Sequence, residues 1–177
     1  MRGVKAIGTA DVTDELRQLP YVVPWVTPGF RHAKHLEARA AGFSKAPSLI
    51  DPTGIVASNA DIASGVYVNA GATVGAFAVL GDFCMINRSA SLGHHSICEP
   101  FVSIGPGATV AARCKIGKGT MIGAGAVIAP GVGIGNNCLV SIGAVVAKDL
   151  PNNCLAAGNP ARVIQTQLVG YKDVEVP

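Results

Sequence analysis

Two of the four histidines in this 177-residue chain stand side by side in "SLGHHSICEP", residues 91–100. An imidazole titrates near neutrality, so His94 or His95 is suited to take a proton from an attacking amine or hydroxyl. Imidazoles also ligate metals and serve as plain polar residues at turns. Zinc sites in proteins built from stacked coils draw ligands from more than one coil, whereas residues 50–150 hold no histidine besides this pair. Neither the ligand count nor tetrahedral geometry is met, so no metal is expected. The choice between proton acceptor and turn residue depends on what positions the pair.

What positions it is a six-residue repeat. Stepping by six from Ile50 gives Val56, Ile62, Val68, Val74, Leu80, Ile86, Leu92, Cys98, Ile104, Val110, Ile116, Ile122, Ile128, Ile134, Val140 and Val146. The fourth residue after each is nearly always small, as in Ala60, Ala72, Ala78, Ser96, Ala108 and Ala126, with Leu150 closing the series. The third is most often glycine, joined by Asn59 and Asn137, residues that tolerate the positive φ of a tight corner. Each hexad therefore reads as a short strand and a corner. Three hexads close one triangular coil, and seventeen hexads predict a parallel β-helix of nearly six coils. The aliphatic residue of each hexad points inward, and four of the five cysteines (84, 98, 114 and 138) fall on inward or small-corner positions. A stack with flat apolar sides is suited to cyclic assembly.

Composition excludes several classes. A net charge of +3 without a basic cluster argues against nucleic acid. The cysteines form no C-x-x-C pair and no disulfide framework. Residues 119–147 carry no charge, yet their glycines, Pro130 and the pair Asn136-Asn137 make a poor membrane helix. No secretory signal is read at the start, which points to the cytoplasm.

Residues 1–49 precede the repeat and read as a small α/β segment, residues 50–150 as the β-helix, and residues 151–177 as a returning tail. "DVTDELRQL" predicts a short helix and "YVVPWV" a strand interrupted by Pro24. Thr27-Pro28 opens a second helix, with Phe30, Ala33, Leu36 and Ala40 on its apolar face and Gly42 at its end. His32 and His35, in "RHAKH", are expected on a solvated basic face.

The repeat puts His94 and His95 at one corner. His94 shares a column with Ala76 and Ala112, which leaves its ring accessible, and we favour it as a general base. His95 takes the slot usually held by glycine, with Phe77 and Arg113 in its column; backbone geometry is one account of it, and it stands with His94 as a candidate catalytic residue.

The stretch from "GDFCMINRSASLGHHSICEP" through "IGAGAV", "KDLP" and "AGNPARVI" resembles the left-handed β-helix sugar acetyltransferases. Within them it is most similar to the sialic-acid O-acetyltransferases and the bacillosamine and perosamine N-acetyltransferases. The resemblance implies a homotrimer that binds acetyl-CoA as acetyl donor in a groove between neighbouring helices, with the histidine at His94 as base. It implies Asn87 as a substrate-site polar group, and Ser103, Ala124 and Ile142 as contacts to the acetyl-CoA arm. Lys115, Lys118, Lys148 and Arg162 are candidates to face the CoA phosphates. Two departures stand out. The family places Asp or Glu directly after the base, where this chain has His95. The family's N-terminal domain opens with a Gly-rich turn that holds the sugar nucleotide, and "MRGVKAIGT" resembles the part of that domain after the turn. The expectation is a trimeric acetyltransferase for a sugar or nucleotide sugar. A non-catalytic β-helical module and an enzyme for a small non-nucleotide acceptor are the alternatives.

Overall fold

A computed structural model describes residues 11–177; the "MRGVKAIGT" segment lies outside them. Seventeen two-residue strands, from β1 (Leu49–Ile50) to β17 (Val145–Val146), follow one another at the predicted spacing of one per hexad. Every third strand pairs in parallel, giving three faces of a triangular prism. The first face contains β7 (Met85–Ile86), β10 (Ser103–Ile104), β13 (Met121–Ile122) and β16 (Leu139–Val140). The second face contains β8 (Ser91–Leu92), and the third β9 (Ile97–Cys98). This is the expected left-handed β-helix of nearly six turns.

Inward columns fill the prism. Ile86, Ile104, Ile122 and Val140 stack in register eighteen residues apart and are fully buried, as are Leu80, Val110, Ile116 and Ile128 on the other faces. Each such side chain contributes about 1.5–3 kcal/mol, so a continuous column stabilises strands too short to stand alone. The small corner positions satisfy backbone groups of the adjacent coil. The Ser96 hydroxyl donates to Ala111 O at 2.9 Å and accepts from Cys114 N at 3.1 Å. Thr120 does the same between Gly135 O and Cys138 N. All five cysteines are buried free thiols, and burial pushes the Cys84 thiol up to about 12. The uncharged run 119–147 folds into strands β13 to β17, and among the described residues no helix is long and apolar enough to cross a membrane.

Three details differ from the sequence reading. Asn59 does not adopt positive φ, whereas Phe77, Phe83, Ser89, His95, Phe101 and Arg113 do, at 54–62°. At these six corners a bulky or polar side chain adopts the left-handed conformation that glycine takes at its own. Leu150, read as a small corner residue, instead bridges in parallel to Ile134 and lies in the core. The last coil is thus sixteen residues long, and Val140 pairs with Ala156 after the same contraction. Beyond it, β18 (Leu155–Gly158) lengthens and pairs antiparallel with β19 (Ala161–Gln165).

The third difference lies in the N-terminal segment. Helix α1 (Asp14–Arg17) forms with the Thr13 hydroxyl capping Leu16 N, and α2 (Pro28–Ala40) starts at Pro28, with Gly42 at φ +93° after its end. Residues 21–26 form no strand; Tyr21 N donates to Lys45 O, an isolated contact. Phe30 and Leu36, expected inside, are 37% and 51% exposed, whereas Arg31 is 1% exposed. The opposite stripe docks because the third–first corner presents Phe83 and Phe101, whose rings stack 5.4 Å apart and nearly parallel. His35 lies 4.3 Å from Phe83 and His32 meets Phe101 edge-on at 4.9 Å. Arg31 donates to Phe83 O, Phe101 O, Val102 O, Trp25 O, Val26 O and Ser103 Oγ. These six acceptors satisfy a buried cation that, among the described residues, has no carboxylate partner. The tail returns along this corner, where Val176 exchanges two hydrogen bonds with Asn137.

Candidate active site

Between β8 and β9 the chain turns the second–third corner, and His94 and His95 form its tip. Glycines let the coils approach there. A Cβ on Gly75 would fall 2.6 Å from His94 N, and one on Gly93 would fall 2.5 Å from the backbone of Ala111 and Ala112. With alanines in its own column, the His94 ring is exposed. His95 N donates to Ala76 O at 3.0 Å, and Arg113 N donates to His94 O at 3.0 Å, so ladder bonds on both sides pin the tip. The His95 φ of +59° turns its ring alongside that of Phe77, with centroids 4.9 Å apart. His94 Nδ1 and His95 Nδ1 are 2.9 Å apart. The pair therefore forms one hydrogen-bonded unit at an exposed corner.

The residues expected to join it lie elsewhere in the chain. Asn87 follows β7 at the first–second corner, across the width of the second face from His94. It is buried, and its Oδ1 accepts from Arg88 N at 2.8 Å and from Asn69 Nδ2 at 3.3 Å. Ala124 and Ile142 occupy the same first–second corner column and line a groove of about 470 Å³ with Met121, Leu139 and Tyr171. Ile142 is 80% exposed. Ser103 is not in this groove. It is 1% exposed, donating to Val26 O at 2.7 Å and accepting from Arg31 at 3.0 Å, so it anchors α2. Of the four candidate cations, Lys115 pairs with Glu99 at 3.2 Å and Lys118 bonds Pro177 O.

His32 and His35 depart from the solvated face expected of them. They are half-buried and line a cavity of about 370 Å³ with Tyr21, Arg39, Asp82 and Phe101. Tyr21 Oη and His35 Nδ1 share a hydrogen bond of 2.7 Å. Burial pushes both histidines below the usual range, helped by Lys118 at His32 and by His32 and Arg39 at His35. Burial likewise raises the Tyr21 hydroxyl. Bulky side chains in corner slots usually held by glycine were the available sign of this docking site. Among the described residues, no three His, Cys, Asp or Glu side chains converge as a metal site would require.

Solved structures share this architecture. The chain superimposes on PerB from Caulobacter crescentus, in complex with CoA and GDP-perosamine, with TM-score 0.80 and 32% identity. That match covers 82% of this chain and 70% of PerB. The chain belongs to the hexapeptide-repeat sugar acetyltransferases. Consistent with that family, the acetyltransferase domain of PglB from Neisseria gonorrhoeae, in complex with acetyl coenzyme A, matches with TM-score 0.84 and 32% identity. Here 93% of this chain and 80% of that domain are covered. The bacterial transferase hexapeptide (six repeats) family model matches residues 95–130. WeeI from Acinetobacter baumannii, at 19% identity and TM-score 0.66, shares the fold. No curated protein matches the chain.

Proposed function

We propose that this chain is a cytoplasmic, homotrimeric acetyltransferase that moves an acetyl group from acetyl-CoA to an amine or hydroxyl of a sugar or nucleotide sugar. The observation that carries the reading is the exposed His94 imidazole, pinned at its corner and hydrogen-bonded through Nδ1, in a chain of this family. PerB and the PglB domain, crystallised with CoA and with acetyl-CoA, support the donor. The groove at Ala124 and Ile142 fits an extended, largely apolar arm, with Met121, Leu139 and Tyr171 as its walls. Acetyl-CoA supplies an activated thioester carbonyl. His94 accepts the acceptor's proton at Nε2 as the amine or hydroxyl attacks, and returns that proton to the departing thiolate. A backbone N–H at the corner steadies the developing oxyanion.

The positions of the parts support assembly. His94 sits at one edge of the second face, while Asn87, Ala124 and Ile142 sit at the other. Within one chain the second face separates the two sets. Copies related by a three-fold axis present the first–second corner of one to the second–third corner of the next, and each interface then holds a complete site.

The test is release of CoA thiol from acetyl-CoA against a panel of amino sugars and nucleotide-linked amino sugars. Wild type should release thiol only with an acceptor, and His94→Ala should lower kcat at least about a hundredfold. Release absent with every acceptor, or untouched by the substitution, overturns the reading and leaves a non-catalytic module ahead.

A further inference from the structure

We infer that His95 sets the tautomer of His94, holding a proton on His94 Nδ1 and so leaving Nε2 bare; the choice of His94 as donor, and its catalytic consequence, rest on His94 being the base. The contact is between two ring nitrogens of the same kind, His94 Nδ1 and His95 Nδ1, at 2.9 Å. Two bare nitrogens repel at this distance, and so do two N–H groups. The separation is attractive only when one nitrogen carries hydrogen and the other does not. If His95 were the donor, His94 would carry its hydrogen on Nε2 and could not take a proton there. With His94 as donor, Nε2 is free, and it is the nitrogen turned away from the pair. The hydrogen bond made by one imidazole nitrogen thus decides the chemistry of the other.

The corner is built to keep the His95 ring in place beside His94. Its positive φ carries the side chain toward His94, its N–H is tied to Ala76 O, and its ring lies against Phe77. Phe77 holds the same left-handed conformation one coil away, at φ 57°. Glycine in the slot of His95 would supply the turn without the acceptor. The adjacent coils present Ala76 and Phe77 on one side and Ala112 and Arg113 on the other, so Arg113 is the charged residue beside the pair. A neutral imidazole orients the base as a carboxylate does, without adding negative charge. Its contribution is therefore choice of tautomer, which is smaller than that of the base itself.

Ring ¹⁵N shifts of the full chain at mildly alkaline pH read the tautomers directly. Wild type should show His94 with hydrogen on Nδ1 and His95 with hydrogen on Nε2. His95→Gly, which suits the backbone, should release His94 toward the Nε2–H form and lower kcat about tenfold with the acceptor KM unchanged. His95→Asn, an acceptor that tolerates positive φ, should restore both the tautomer and most of kcat. The Nε2–H form at His94 in wild type, or a His95→Gly variant that keeps the wild-type tautomer, overturns the inference. If wild type turns over no acceptor, His94 fails as base, while the ring shifts still decide whether His95 sets its tautomer.

Discussion

His32 and His35 lie one helical turn apart against the rings of Phe101 and Phe83; His94 and His95 are adjacent and lie at an exposed corner. Both pairs sit at β-helix corners where large residues occupy left-handed positions. At the third–first corner the large residues are phenylalanines, and they recruit a helix, a buried arginine and the tail. At the second–third corner Phe77 and His95 remain uncovered among the described residues, and the second imidazole engages the first. The same backbone device thus serves docking in one place and presentation in the other. What divides them is whether an element of the same chain covers the corner.

That contrast can be broken experimentally. The largest effect belongs to His94→Ala, with kcat down at least about a hundredfold and Tm unchanged, because the ring is exposed and its contact is with an exposed neighbour. If Tm falls with activity, the corner is structural as well. Next is Arg31→Met, which strands the carbonyls of Phe83, Phe101 and Val102 under α2. A loss of about 3 kcal/mol or more is expected, read as early proteolysis of the N-terminal segment while the prism persists. Loss of the whole transition at once would show that the docked helix and the prism unfold together.

Smaller still is a pH effect confined to the docked pair. Burial holds His32 and His35 below the usual range, so the fold binds fewer protons than the unfolded chain does near pH 6.5. Docking should be at full strength above about pH 6.5 and weaken as pH falls through that value toward the lowered folded ones. Trp25, the single tryptophan, gives its carbonyl to Arg31 and reports the change by fluorescence. His35→Phe should flatten the response, and an unchanged curve would assign it to other groups. The smallest effect is that of Ser103→Ala, about 1 kcal/mol of stability with acetyl-CoA KM unmoved. A raised KM would return Ser103 to the cofactor groove.

The prism was legible because six-residue periodicity depends on local chain geometry, and one aliphatic residue per hexad suffices to read it. The corner that holds His94 followed from the same arithmetic. Leu150 was misplaced because a two-residue contraction leaves no mark except that the residue in a small slot is large. The docked face of α2 was misread for a different reason. Phe30 and Leu36 are the apolar choice on a helical wheel, but the partner surface is aromatic and rich in carbonyls, which selects Arg31, His32 and His35. Ser103 was read as a donor contact from resemblance alone, and the N-terminal segment that covers it lies far away in sequence.

The sixteen-residue last coil has a further consequence. Stacked coils of equal length offer a fresh, matching edge at each end, which invites another molecule to continue the pile as a fibre does. Shortening the coil before β18 offsets the final edge, and the antiparallel β19 then occupies the register that a following parallel strand would need. On the first face the chain thus carries its own terminator at this end.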